Sequence, residues 1–192
     1  MSVVTGTALE SLKGASFDDL YSSVRGDLYR SLALITDDRD LATEAVDIGF
    51  TRWRRKLRKP NGLSAAAGVM AGAFKFASKQ AGSSSKMSGF RLQSERATSD
   101  EPFMDRFRKL SLDERAILVM RDVLGWDPDS IAHAVGAEGV ARVASSIDDR
   151  LNANGSDPGR MAEVLRVAAG GYTEPLSRLD AVKAKGGLQK LG

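Results

Sequence analysis

The sequence predicts an all-α protein made of two small helical domains and a C-terminal helical tail. Three observations carry this expectation. Apolar residues recur at three- and four-residue steps through most of the chain, the period of a helix with one buried face. No stretch of useful length alternates apolar with polar residues, as a half-buried strand would. A Ser- and Gly-rich stretch, AGSSSKMSGFRLQSERATSD, interrupts the periodicity and reads as a flexible tether between two helical modules. The expected organisation is a domain over 1–79, a linker over 80–100, a second domain over 101–152 and an extension over 153–192.

Phe17, Leu20, Tyr21, Val24, Leu28 and Leu32 fall on one face of a first helix, with Ser16 as its N-cap and Asp18 and Asp19 in its first turn. Thr36-Asp37-Asp38 reads as a break and a new cap. A second helix follows from about Arg39 to Leu57, with Leu41, Ala45, Ile48, Trp53 and Leu57 as candidates for its buried face. Pro60-Asn61-Gly62 stops it. A third helix, about Leu63 to Lys79, is crowded with small residues including Gly68 and Gly72, a surface that lets another helix approach closely. Beyond the linker, Phe103, Phe107 and Leu110 fit a short helix. Leu112 to Val123 fits another, capped by Ser111 and ended by Gly125. Asp127-Pro128 opens a short helix over Ser130 to Val135 that closes at Gly136. A further helix runs from about Glu138 to Leu151, with Val140, Val143, Ile147 and Leu151 on one face. Met161 to Ala169 and Leu176 to Leu191 are short helical segments of the tail.

Composition narrows the function. A hydrophobic content of 42% with 28% charged residues over 192 residues suits a globular protein. The absence of cysteine removes thiolate metal sites and fits a reducing compartment, and a single histidine, His133, leaves no basis for a His-built metal site or a Ser-His-Asp triad. No cluster of nucleophile, base or metal ligands emerges, so neither catalysis nor a cofactor is expected. The start MSVVTGTALESLKG lacks the basic and apolar regions of a signal peptide. The uncharged run Asn61 to Phe74 is fourteen residues, too short to span a bilayer. A soluble, cytoplasmic protein without a membrane partner is expected. The net charge of +3 points weakly to a polyanionic partner.

The stretch Leu110 to Leu151 has helix-turn-helix punctuation: a helix, a short helix ending in Gly136, and a further helix that would lie in the major groove. By spacing alone this is equally a helical hairpin in a core. The residues themselves add more. LSLDERAILVMRDVLGWDPDSIAHAVGA resembles region 4 of the extracytoplasmic-function sigma factors, with Arg115, Leu118, Arg121, Gly125, Trp126, Ile131, Ala132 and Gly136 at matching places. FDDLYSSVRGDLYRSLALITDDRDLATEAVDIGFTRWRR is similar to region 2 of the same family, with Glu44, Val46, Phe50 and Trp53 as anchors. The resemblance covers roughly Ser16 to Leu151 and keeps the family's order.

The resemblance implies a transcription initiation subunit that binds core RNA polymerase, with its β′ clamp helices and β subunit, and promoter DNA; an anti-sigma factor is a further partner it implies. The helix holding Glu44, Asp47, Ile48 and Thr51 would be the polymerase-docking element. Asp47 stands where the family usually has Gln, and its carboxylate could pair with β′ arginines. As plain surface chemistry, Glu44 and Asp47 are solvated helix charges.

DNA contact falls to Arg54, Arg55, Lys75 and Lys79 in the front half and to Arg142, Ser145 and Ser146 in the back half. The basic run Arg52 to Lys59 has two readings. As a functional patch it follows a phosphate backbone with Trp53 as a stacking ring; as a helix end it is solvated, with Trp53 in the core. Two departures from the family bear on DNA. The helix from Leu63 to Lys79 offers an Ala/Gly surface instead of polar edges and stacking rings. From Asp127 to Leu151, five carboxylates stand against Arg142 and Arg150, a net of −3, and Asp148 and Asp149 would repel phosphates. These departures favour a rival reading, a sigma-like protein-interaction regulator that has lost promoter recognition.

Overall fold

A computed structural model describes residues 17–54, 62–84, 101–152, 157–175 and 180, and among these every regular element is an α-helix. The helices are α1 (Phe17–Thr36), α2 (Arg39–Arg54), α3 (Gly62–Ser84), α4 (Glu101–Lys109), α5 (Leu112–Asp122), α6 (Pro128–Val135), α7 (Val140–Asn152) and α8 (Pro158–Gly170). The all-α expectation holds. The basic residues 55–59, the Pro60-Asn61 stop, the N-cap Ser16 and the tail helix over 176–191, Asp180 apart, lie outside the described residues.

The periodic face of α1 is buried as expected, with Leu20, Val24, Leu28 and Leu32 in the core. Its C-terminal half is covered on further sides, because Tyr29, Ser31, Ala33, Leu34 and Ile35 are buried too. The cause is tertiary: α2, α3, α5 and α8 all pack on α1. After Thr36 the chain turns at Asp37, which adopts the left-handed conformation (φ 54°), and the Asp38 carboxylate accepts the Leu41 N–H at 2.9 Å to start α2.

The centre of the buried face of α2 is Ala42, Ala45, Val46, Gly49 and Phe50. Of the expected stripe, Ala45 is buried, Leu41, Ile48 and Trp53 are half-buried at the margin, and Leu57 lies outside the described residues. Phe50 sits under Tyr21 and Phe17, with ring centroids 4.8 and 5.9 Å away.

The α2–α3 contact is the most extensive in the molecule, and small residues make it. A Cβ on Gly49 would lie 2.5 Å from the Val69 carbonyl oxygen and 3.0 Å from the Ala73 Cβ, while one on Gly68 would overlap the Trp53 ring. Gly72 faces the Cα of Gly49. The close approach expected of α3 is therefore realised, and Ala65, Ala66, Ala67, Val69, Met70, Ala73, Phe74 and Ala77 are all buried. The helix also runs longer than its composition suggested: Gln80 to Ser84, assigned to the linker, continue α3.

α3 packs on α6 and α1 packs on α5, so helices on both sides of the segment 85–100 contribute to one apolar cluster. α4 buries Phe103 and Phe107 and lies against α7. In α5 every residue from Ala116 to Met120 is buried, since α1, α6, α7 and α8 surround it. The tail, whose course was not legible, folds back: α8 starts at the Asp157 cap and buries Met161, Leu165 and Ala169 in its packing on α1 and α5.

Gly49→Ala is expected to cost about 1–3 kcal/mol, because the added methyl meets backbone that cannot move aside. Gly170→Ala, with open space around its Cβ, should lose nothing. Urea denaturation midpoints of the two variants check the contrast.

Candidate nucleic-acid interface

Between Leu110 and Leu151 the structure has three helices separated by glycine-marked turns. Ser111 and Glu114 form a capping box at the head of α5, the Ser111 hydroxyl accepting from the Glu114 N–H at 3.2 Å and Glu114 accepting from the Ser111 N–H at 2.9 Å. Past α5, Gly125 takes a positive φ of 66° and Trp126 tucks into the core, its N–H donating to the Met120 carbonyl at 3.0 Å. Asp127 caps α6 by accepting from the N–H groups of Asp129 and Ser130 at 3.0 and 2.9 Å, with Pro128 in the first turn. Gly136 ends α6 at φ 70°. The next helix begins at Val140 and not near Glu138, because Gly139 is also left-handed (φ 67°) and cannot belong to a right-handed helix.

α7 buries Val140, Ala144, Ile147 and Leu151 against the helices beneath it. Its opposite face presents Ala141, Arg142, Ser145, Ser146 and Asp149 to solvent. Arg142 makes no ion pair among the described residues. The Ser145 hydroxyl donates back to the Ala141 carbonyl at 3.1 Å.

The charge argument against this helix changes. Asp148 does not stand free as a phosphate-repelling group. The Arg121 guanidinium donates to both its oxygens, at 2.8 and 2.9 Å, while also pairing with Asp122 at 2.7 Å. These hydrogen bonds, to Asp122 first and then Asp148, hold Arg121 above its usual pKa. Arg150 pairs with Glu114. Burial pushes the Glu114 carboxyl up, but the Ser111 N–H, Arg150 and the Ser111 hydroxyl outweigh it, and the net shift is downward. Two pairs thus staple α7 to α5, joining residues 27 and 36 positions apart. Of the two arginines and the Asp148-Asp149 pair, Arg142 and Asp149 are left facing outward. Arg121 matched the sigma pattern, but its part in neutralising α7 carried no sequence signal.

The front-half cations divide. Arg54 is half-buried with its guanidinium over the Phe17 ring at 5.5 Å, so it is not free to follow a phosphate backbone. Arg55 lies outside the described residues. Lys75 and Lys79 are exposed one turn apart on α3. Arg52, expected only as the first residue of the basic run, joins them: its guanidinium donates to the Gly72 carbonyl at 3.3 Å, one turn before Lys75. The clue was available, since Arg52 stands three residues after the α3-facing Gly49. Trp53 packs on the core as a half-buried ring over Gly68, not as an exposed stacking platform. The remaining described surface of α3 offers DNA little, because beyond these lysines only Gln80 is exposed.

On α2, Glu44 and Thr51 face solvent, the Thr51 hydroxyl donating to the Asp47 carbonyl at 2.8 Å. Asp47 and Ile48 are half-buried between them, and one Asp47 carboxylate oxygen is shielded from water. His133 is exposed. Among the described residues no group of His, Asp or Glu is placed to hold a metal ion, and no helix is long and apolar enough to cross a membrane. No protein-family model matches the chain, and neither a curated protein nor a solved structure matches it.

Hydrogen bonds from the Ser130 hydroxyl and N–H hold Asp127 below its ordinary 3.8, as Glu114 is held below 4.5. A depressed folded pKa gives stability that is complete above the ordinary value and is lost as pH falls through the folded one. The thermal midpoint should therefore drop between about pH 5 and pH 3, and Glu114→Gln should flatten part of that drop. Calorimetry at stepped pH provides the check.

Proposed function

We propose that the chain is a sigma-like transcription initiation factor that binds core RNA polymerase and directs it to promoter DNA. The observation that supports this best is α7: a helix entered through a glycine turn, carried on α5 and α6, whose outer face of Ala141, Arg142, Ser145 and Ser146 takes no part in packing. Such a face fits a major groove, where small and hydrogen-bonding side chains reach base edges and a lone arginine contacts guanine or phosphate. The pairing of Asp148 with Arg121 removes part of the repulsion that the sequence suggested. The exposed Glu44 and Thr51 on α2 supply the polymerase-docking face, with Asp47 as their partly shielded neighbour. The factor works in the cytoplasm, needs no cofactor and catalyses nothing itself; an anti-sigma factor is a fitting regulator.

One observation favours the second reading, a sigma-like interaction regulator without promoter recognition. α3, the helix that in the resembled family opens DNA, is covered here by α2, α1 and α6.

Two measurements separate the readings. Glu44→Lys with Asp47→Asn should lower capture of core polymerase by about tenfold or more, since reversing a charge at an electrostatically steered interface costs encounter and hold alike. Undiminished capture removes α2 from the interface. The complex with polymerase should then select DNA from a random-sequence pool, and Arg142→Ala should weaken that binding and reduce its salt slope by about one. Polymerase capture without any selected DNA transfers the assignment to the second reading.

A further inference from the structure

The C-terminal segment returns across the molecule to the first helix. α8 lies on both α1 and α5, with Met161, Leu165 and Ala169 buried between them. The chain then runs on along α1. Arg25, whose side chain is 8% exposed, pairs with Glu174 and, at 3.4 Å, with Asp180, and donates to the Pro175 carbonyl at 3.1 Å. The Tyr21 hydroxyl donates to Asp180 at 3.0 Å. Gly26 leaves room for Glu174, whose carboxylate would lie 2.9 Å from a Cβ there. Tyr172 donates its hydroxyl to Asp37 at 3.3 Å in the left-handed α1–α2 turn, and Arg39 covers its ring at 5.4 Å. Arg108 of α4 reaches the same carboxylate at 3.7 Å.

One segment therefore touches the helix that anchors α2 and α3 and the helix that anchors α6 and α7. Its two kinds of contact differ. α8 adds apolar burial, whereas Tyr172, Glu174, Pro175 and Asp180 are held by hydrogen bonds and ion pairs, the last beside an open polar cleft of about 210 Å³ lined by Tyr21, Ser22, Arg25, Gly26, Glu174 and Asp180. Glu174 and Asp180 each keep 30% of their side-chain surface in water, so these bonds weaken with salt and yield to a competing ligand more readily than the α2–α3 core does.

We propose that the segment 157–175, together with Asp180, is an intramolecular strap: by bridging α1 and α5 it holds α6 against α3, and its release lets the α4–α7 unit move away and uncovers the side of α3 that α6 covers. The strap follows α7 directly in the chain, so reseating is intramolecular and fast, as a reversible closure requires. This conformational proposal does not depend on what the chain binds. If the preceding function is right, release is the step that exposes the covered helix.

The full-length chain suits a distance measurement, because it has no cysteine of its own. Lys75→Cys on α3 and His133→Cys on α6, both exposed positions, carry spin labels. The expected result is one short distance in the parent and a second, longer population, increased at least about threefold, when Tyr172→Phe, Glu174→Gln and Asp180→Asn are combined. Leu165→Ala, which weakens α8 itself, should raise the same population, with helicity by circular dichroism unchanged. An unaltered distance distribution in both variants overturns the strap. So does loss of helicity in a single transition without a folded, long-distance state, which would make the segment an inseparable part of the core.

Discussion

The want of side-chain volume between α2 and α3 is the constraint from which the front of the molecule follows. With Gly49 against the Val69 carbonyl and Gly68 beneath Trp53, there is no room for a Cβ at either position and the two helices approach closely. The alanines of α3 favour a helix, but each internal glycine works against it. Burial on α1, α2 and α6 offsets the cost of those glycines, so a glycine-punctuated helix is among the most enclosed. The same enclosure leaves Lys75, Lys79 and Gln80 as the exposed residues on the described surface of α3, which is why this helix bears on the choice between the two functional readings.

Much of the fold was legible because its signals are local. Periodicity located α1, α2 and the helices from α4 to α8, and the caps at Ser111 and Asp127 and the glycines at 125 and 136 marked real boundaries. The misplacements have physical causes. The start of α7 was set too early because a second left-handed glycine, Gly139, follows Gly136 so closely. The end of α3 was set too early because Ser and Gly weigh towards a linker in any compositional reading, whereas the helix runs on to Ser84. The all-round burial of α1 could not be read from a single stripe, since helices from the far end of the chain cover it.

The candidate interface was legible in outline and not in charge. Counting carboxylates made α7 hostile to DNA, yet Asp148 belongs to Arg121 and Arg150 belongs to Glu114. Pairs between residues so far apart in the chain leave no mark on the local sequence, and a net charge sums groups that the fold has already matched. The front half shows the reverse. Arg54 looked available and is spent on Phe17, while Arg52, named only as part of the basic run, lies beside the exposed lysines. The tail's return to Arg25 was the least legible feature, because its anchors are single polar residues in an aperiodic stretch.

The outer surface of α7 separates two jobs that proteins usually combine. Val140, Ala144, Ile147 and Leu151 carry the packing, and Arg121 and Glu114 hold the helix from behind, so Ala141, Arg142, Ser145 and Ser146 owe nothing to the core. Exchanges at those four positions are free of folding penalties beyond a few tenths of a kcal/mol. A lineage carrying this scaffold can drift through new ligand preferences while its melting temperature stands still, and a designer can randomise the same positions without rebuilding anything underneath.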